Sequence, residues 1–189
     1  MLDLDSPRWK ELSHPYESVE DVPHLLRELA ATAPSQLLGS PALDSLSYLL
    51  CDHGYGPVCT ASYAAVPHFI ALATTRLHEE RSALIHLAAS IEIHRNYGDA
   101  PSIPDDLVED YVASLGQMRI LALECLKERQ TDEESFHILA GVLAVANGYV
   151  KYGNAIMHLK REGEVCHECG ARVPIFGYWP ESMLADEQD

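Results

Sequence analysis

Positive charge is scarce in this chain. Lysine and arginine together number 13 against 29 aspartates and glutamates, a formal net charge of -16. No run or stripe of Lys and Arg occurs anywhere. Nucleic-acid backbones are held by basic grooves that displace counterions, and anionic membrane surfaces attract polybasic segments. The sequence offers neither, so both partners are disfavoured. Long apolar runs are missing as well. The longest, Ile138 to Ala146, falls well short of the roughly 18 residues of a membrane span. The opening Met1-Leu2-Asp3-Leu4-Asp5 is acidic and lacks the apolar core of a signal peptide, so a cytoplasmic location is expected. Five cysteines, an odd number at irregular spacing, give no disulfide framework and suit a reducing compartment.

Catalytic signatures are equally thin. Gly54-Tyr55-Gly56-Pro57 ends in proline and cannot present a run of amides to a phosphate. There is no Gly-x-Ser-x-Gly elbow and no His-Glu-x-x-His pair, and Asp52-His53 reverses the His-Asp order of metal phosphohydrolases. The presence of serine and histidine alone does not define a triad. A non-catalytic protein is therefore expected.

What is present is helical periodicity. Hydrophobic residues make up 47% and charged residues 22%, which supports a packed core and argues against global disorder. Val22, Leu25, Leu26, Leu29 and Ala30 form one apolar stripe, with Asp21 or Ser18 available as its cap. Ser40-Pro41 opens a second helix on Leu43, Leu46, Leu49 and Leu50. Further helices are predicted over about 58–74, 79–95 and 104–129, the last with acids in its first turn. Thr131-Asp132-Glu133-Glu134 reads as a capping box before a helix apolar on nearly every side, which predicts burial all round. Asn147-Gly148 ends it, and a last helix or turn spans Tyr149 to Arg161. A short strand at Arg172 to Phe176 is the one departure from helix.

An internal echo organises these elements. Val22-Pro23-His24-Leu25-Leu26 recurs 44 residues later as Val66-Pro67-His68-Phe69-Ile70. Leu49 to Gly54 is echoed more weakly at Ile91 to Asn96. Helix pairs at a period of roughly 40–47 residues are the HEAT/armadillo pattern. A proline in the first turns of the second helix of each pair would account for the coincidence, since early amides have no intrahelical acceptor. His24 and His68 then hold equivalent, structural positions. The expected fold is all-α, a HEAT/armadillo-like α-α superhelix over residues 1–161. A C-terminal segment, 162–189, carries a short cysteine-containing turn or ribbon remnant and an acidic tail.

Two groups of residues could carry function. Asp105, Asp106, Glu109 and Asp110 are the densest acidic cluster. They either complement a helix dipole or form a patch for a basic protein partner. Cys166-His167-Glu168-Cys169-Gly170 supplies half of a tetrahedral zinc site, with His158 or His167 as a third ligand, or a second chain completing it. Zinc is the cofactor that pair would take. The bland alternative is a degenerate knuckle in a turn. A redox dithiol lacks both the helix start that lowers a thiol pKa and a thioredoxin-like βαβ setting. Cys51, Cys59 and Cys125 fall in or beside predicted helices and read as core packing.

Trp9-Lys10-Glu11-Leu12-Ser13-His14, followed by Ser18 to Leu29, resembles the opening of a recurring group of bacterial HEAT-repeat proteins. There a tryptophan and a His-Tyr pair precede an Asp-hydrophobic-Pro-x-Leu-Leu helix. His53-Gly54 ending the next helix and Ala64-Ala65-Val66-Pro67-His68-Phe69 are similar to the same group. The likeness covers residues 9 to 98; Glu17 stands where glycine is usual. The resemblance implies a partner-binding α-solenoid, with some members found near toxin genes as immunity proteins, and it transfers no catalytic residue. Combined with the negative charge, it leads to an immunity or neutralising protein for a basic, nuclease-type toxin. The alternative is a metal-binding or redox enzyme centred on Cys166 and Cys169; a HEAT-type DNA-repair enzyme is opposed by the charge.

Overall fold

A computed structural model describes residues 1–13, 21–51, 58–97, 100–128 and 133–158, together with 164–165 and 172–173. A 3-10 helix, Pro7–Glu11, comes first. Seven α-helices follow among the described residues: α1 (Val22–Ala31), α2 (Pro41–Cys51), α3 (Thr60–Ala73), α4 (His78–Arg95), α5 (Val108–Lys127), α6 (Glu133–Ala146) and α7 (Val150–Met157). Two two-residue strands, β1 (Glu164–Val165) and β2 (Arg172–Val173), pair antiparallel with Glu164 opposite Val173. None of the described helices is long and apolar enough to cross a membrane.

Local chemistry accounts for the boundaries. Ser40 Oγ accepts the Leu43 amide at 3.3 Å and Pro41 opens α2, so one early amide is satisfied and another is absent. Asp21 stands at the start of α1 without a side-chain cap bond. Thr32 closes α1, its amide donating to the Glu28 carbonyl at 2.9 Å. Acids Glu79 and Glu80 open α4 while His94 and Arg95 close it, in the sense that offsets the helix dipole. Gly148 takes φ +84° just past α6, a left-handed conformation that terminates the helix cheaply only as glycine.

The helices pack α1 on α2, α3 on α4 and α5 on α6. Odd helices also neighbour odd ones, α1 on α3 and α3 on α5, and even ones neighbour even, α2 on α4 and α4 on α6. Enclosed by this arrangement, α3 buries Tyr63, Ala65, Val66, Phe69 and Ile70 on several sides. Cys51, Cys59 and Cys125 are buried thiols of the core, as their sequence context implied. The tightest crossing is α6 with α7. A Cβ at Gly141 would lie 2.6 Å from the Gly153 carbonyl oxygen, and one at Gly153 would lie 2.7 Å from that of Gly141. The two backbones touch there because neither residue has a side chain.

Three sequence expectations are corrected. Pro23 does sit at the start of α1, but Pro67 is the eighth residue of α3 and lies inside that helix. The Val-Pro-His echo therefore does not mark one depth in two helices, and Pro67 leaves the Tyr63 carbonyl without its helical amide. Nor are the histidines equivalent: His24 is exposed and pairs with Glu28 at 3.2 Å, while His68 is partly buried against the N-terminal segment. Third, α6 is not buried all round. Leu139, Val142 and Val145 face the core, but Phe136 is half exposed, because α4, α5 and α7 cover only part of its circumference. The capping box at 131–134 lies largely outside the described residues.

The N-terminal end of α4 is tied to the α1–α2 connection by a buried ion pair. Arg76 Nη1 stands 3.9 Å from Glu80 Oε2, both side chains almost fully buried. Arg76 Nη2 donates to the carbonyls of Leu29 and Ala30 at 3.2 Å, serving the open C-terminus of α1. Glu80 Oε1 accepts the Leu37 amide at 2.9 Å.

Candidate functional site

The acidic cluster lies where α5 begins. Asp105 and Asp106 occupy the turn before the helix, and Glu109 and Asp110 its first turn. The N-terminal segment is laid against this end. Arg8 grips Asp106 with both arms of its guanidinium, Nε to Oδ2 at 2.9 Å and Nη2 to Oδ1 at 3.1 Å, and reaches Glu11 at 3.0 Å. That contact holds the Asp106 carboxyl below its ordinary pKa and raises that of Arg8. Asp110 pairs with the Met1 ammonium. Asp105 and Glu109 point to solvent with no ion partner among the described residues. The cluster is thus split between two anchoring carboxylates and two open ones.

Trp9 explains the local order of the segment. Its ring is buried beside His68, with centroids 6.0 Å apart, and its indole N–H donates to the Asp3 carbonyl at 2.9 Å. His68 Nε2 contacts the Leu2 carbonyl at 3.0 Å; burial pushes its pKa down while this bond opposes the shift. The Trp9 stretch and the Val66-Pro67-His68 stretch, far apart in sequence, therefore meet at one place.

Behind this face sits a polar network that the sequence reading passed over. Glu92 is buried and accepts from Arg95 at 2.6 and 2.7 Å, from Tyr111 at 2.8 Å and from Asn96 at 3.2 Å. A buried carboxylate is tolerable when its lone pairs are filled in this way. Tyr63 meets Tyr111 edge to face, centroids 5.5 Å apart, and donates to the Pro101 carbonyl at 2.7 Å. Burial pushes the Tyr63 phenol up to about 12 and that of Tyr111 well above its usual value, the latter helped by Glu92. The network fastens α3, α4 and the start of α5, and so fixes the ground on which the acidic cluster stands. Its one sequence signal was a glutamate set between Ile91 and Ile93 on an otherwise apolar helix face.

Two shallow grooves lie elsewhere. One, of about 270 Å³, runs between α1 and α2 and is lined by Asp21, His24, Leu25, Ser45, Tyr48 and Leu49. The other, of about 330 Å³, lies by the α6–α7 turn, where Tyr149 and Tyr152 are exposed beside Asn96 and Tyr97.

Of the expected metal ligands, His158 is described: it caps α7, its amide donating to Asn154 at 3.2 Å. It lies near His86, whose pKa burial pushes down to about 4, with His158 acting in the same direction. Cys166, His167 and Cys169 lie outside the described residues. Among the described residues, no group of three or more His, Cys, Asp or Glu side chains is arranged to hold a metal ion.

Comparison with known proteins finds no matching family model, no matching curated protein and no matching solved structure.

Proposed function

We propose that this chain is a non-catalytic, protein-binding helical-repeat protein that neutralises a basic partner, best suited to a nuclease-type toxin domain. The observation that carries the reading is the charge: an excess of 16 negative charges, with Asp105 and Glu109 open to solvent on a fixed helix end. A nuclease must present a basic face to its substrate. An acidic protein seated on that face would compete for it and associate quickly through electrostatic steering. The solenoid part of the reading is supported by neighbouring odd helices and neighbouring even helices, the relation expected of stacked helix pairs.

The test is a pull-down from lysate of the native host at rising salt. A basic protein should be retained at low salt and released at high salt. The Asp105→Asn/Glu109→Gln variant removes only the open carboxylates and should retain several-fold less of it at an unchanged melting temperature. Equal capture by both chains would remove the acidic face from the account, and no basic partner at any salt would remove the neutraliser reading.

A second reading, zinc held by Cys166 and Cys169, is favoured by the pairing of β1 with β2, which bracket that cysteine pair in sequence. Metal analysis of the purified chain should give about one zinc per chain or per dimer, lost in Cys166→Ser/Cys169→Ser. Metal-free parent protein prepared without chelator would dispose of it.

A further inference from the structure

One face of α5 has no neighbour among the described residues. Its inner side is buried through Tyr111, Ser114, Met118, Leu121, Ala122 and Cys125. On its outer side Val112 is 59% exposed, Ile120 45% and Leu123 40%, with Ala113 and Gly116 open between them. A Cβ at Gly116 would meet nothing within 4 Å among the described residues. Isolated exposed apolar residues are ordinary, but a strip of them along one helix marks an interaction surface.

The strip ends in opposite charges. Glu109 lies beyond Val112 and Lys127 beyond Leu123, both exposed and neither with an ion partner among the described residues. They are 127 - 109 = 18 residues apart, five turns at about 3.6 residues per turn, and so share one line along the helix. Such a strip is complementary to itself run backwards. With a two-fold axis at the level of Met118, Glu109 of one copy lies against Lys127 of the other. Val112 then meets Leu123, and Ile120 enters the space left by Gly116. Large faces small, apolar faces apolar, and positive faces negative, as an isologous contact requires. We propose that the chain forms a two-fold symmetric homodimer by antiparallel pairing of α5.

The strip is confined to one face of a single helix, and the like net charge of the two copies opposes association. The dimer is therefore a weak one, with a dissociation constant on the order of 100 µM at moderate salt. Sedimentation velocity of the purified full chain at concentrations spanning this value tests it. The parent should shift from monomer to dimer as concentration rises. Ile120→Asp should remain monomeric while melting within a few degrees of the parent. Glu109→Lys and Lys127→Glu should each weaken the dimer several-fold, and the double swap should restore it. A parent that stays monomeric throughout, or a dimer that survives Ile120→Asp, would overturn the proposal; failure of the double swap would overturn the antiparallel register. Because the readout is self-association of the pure chain, it stands or falls separately from capture of a basic partner.

Discussion

Replacing Gly153 with alanine is expected to destabilise the protein by about 2–3 kcal/mol, the upper part of the range for overpacking a close contact. The new Cβ would stand 2.7 Å from the Gly141 carbonyl oxygen and 2.9 Å from the Val145 amide nitrogen. Both are backbone atoms, so no rotamer change relieves the clash and α6 must move from α7. Alanine's helix propensity recovers only about 1 kcal/mol, which the steric cost exceeds. For a chain of this length, 1 kcal/mol corresponds to roughly 2–4 °C in melting temperature, so a fall of roughly 5–10 °C is expected. Gly116→Ala supplies the opposite sign: the added methyl meets open space, and a small gain of up to about 1 kcal/mol is expected. Thermal melting of the two variants at low protein concentration checks both. Equal effects at the two positions would mean that α6 and α7 do not cross so closely.

Glu80→Ala should cost more, about 3–5 kcal/mol, because removing one member of a buried pair leaves the other charged and uncompensated. Arg76 would keep its bonds to Leu29 and Ala30 but lose its carboxylate, and the Leu37 amide would lose its acceptor. The pair's own geometry is modest at 3.9 Å, and neither Glu80 Oε2 nor Arg76 Nε has a hydrogen-bond partner among the described residues. Replacing both residues with methionine should therefore cost less than Glu80→Ala alone, since hydrophobic replacement of a buried ion pair is often neutral. Denaturant unfolding of Arg76→Met, Glu80→Met and the double variant gives the coupling. Additive losses would show that the two side chains act independently.

The contrast with Glu92 is instructive. Both carboxylates are buried on α4, but Glu92 has Arg95, Tyr111 and Asn96 around it. Its environment is completed from its own helix and from α5, while that of Glu80 relies on one long ion pair and one amide.

These buried polar contacts join residues that are distant in sequence. Helix positions were legible because apolar stripes such as Val22, Leu26 and Leu29 repeat with helical spacing, and because Ser40-Pro41 and Gly148 punctuate the chain. The strand at Arg172 was visible in outline. Residue composition alone could not reveal that Arg8 closes on Asp106, 98 residues away, because nothing local to either residue specifies the other. For the same reason the acidic cluster looked uniform in sequence, although its members divide into anchors and open carboxylates. The Val-Pro-His echo was real as letters, but helix length decided its depth: α3 runs seven residues ahead of Pro67, and α1 only one ahead of Pro23. The apolar composition of α6 predicts burial all round, but the number of helices around it sets the exposure of Phe136.

In the proposed function, an acidic face attracts a basic protein. The most direct test is the association rate of the captured partner with the purified chain, measured by stopped flow at low and high salt for the parent and Asp105→Asn/Glu109→Gln. The expected result is a rate that falls steeply with salt for the parent and is slower and flatter for the variant, with little change in dissociation. A rate indifferent to salt and to the two substitutions would contradict it.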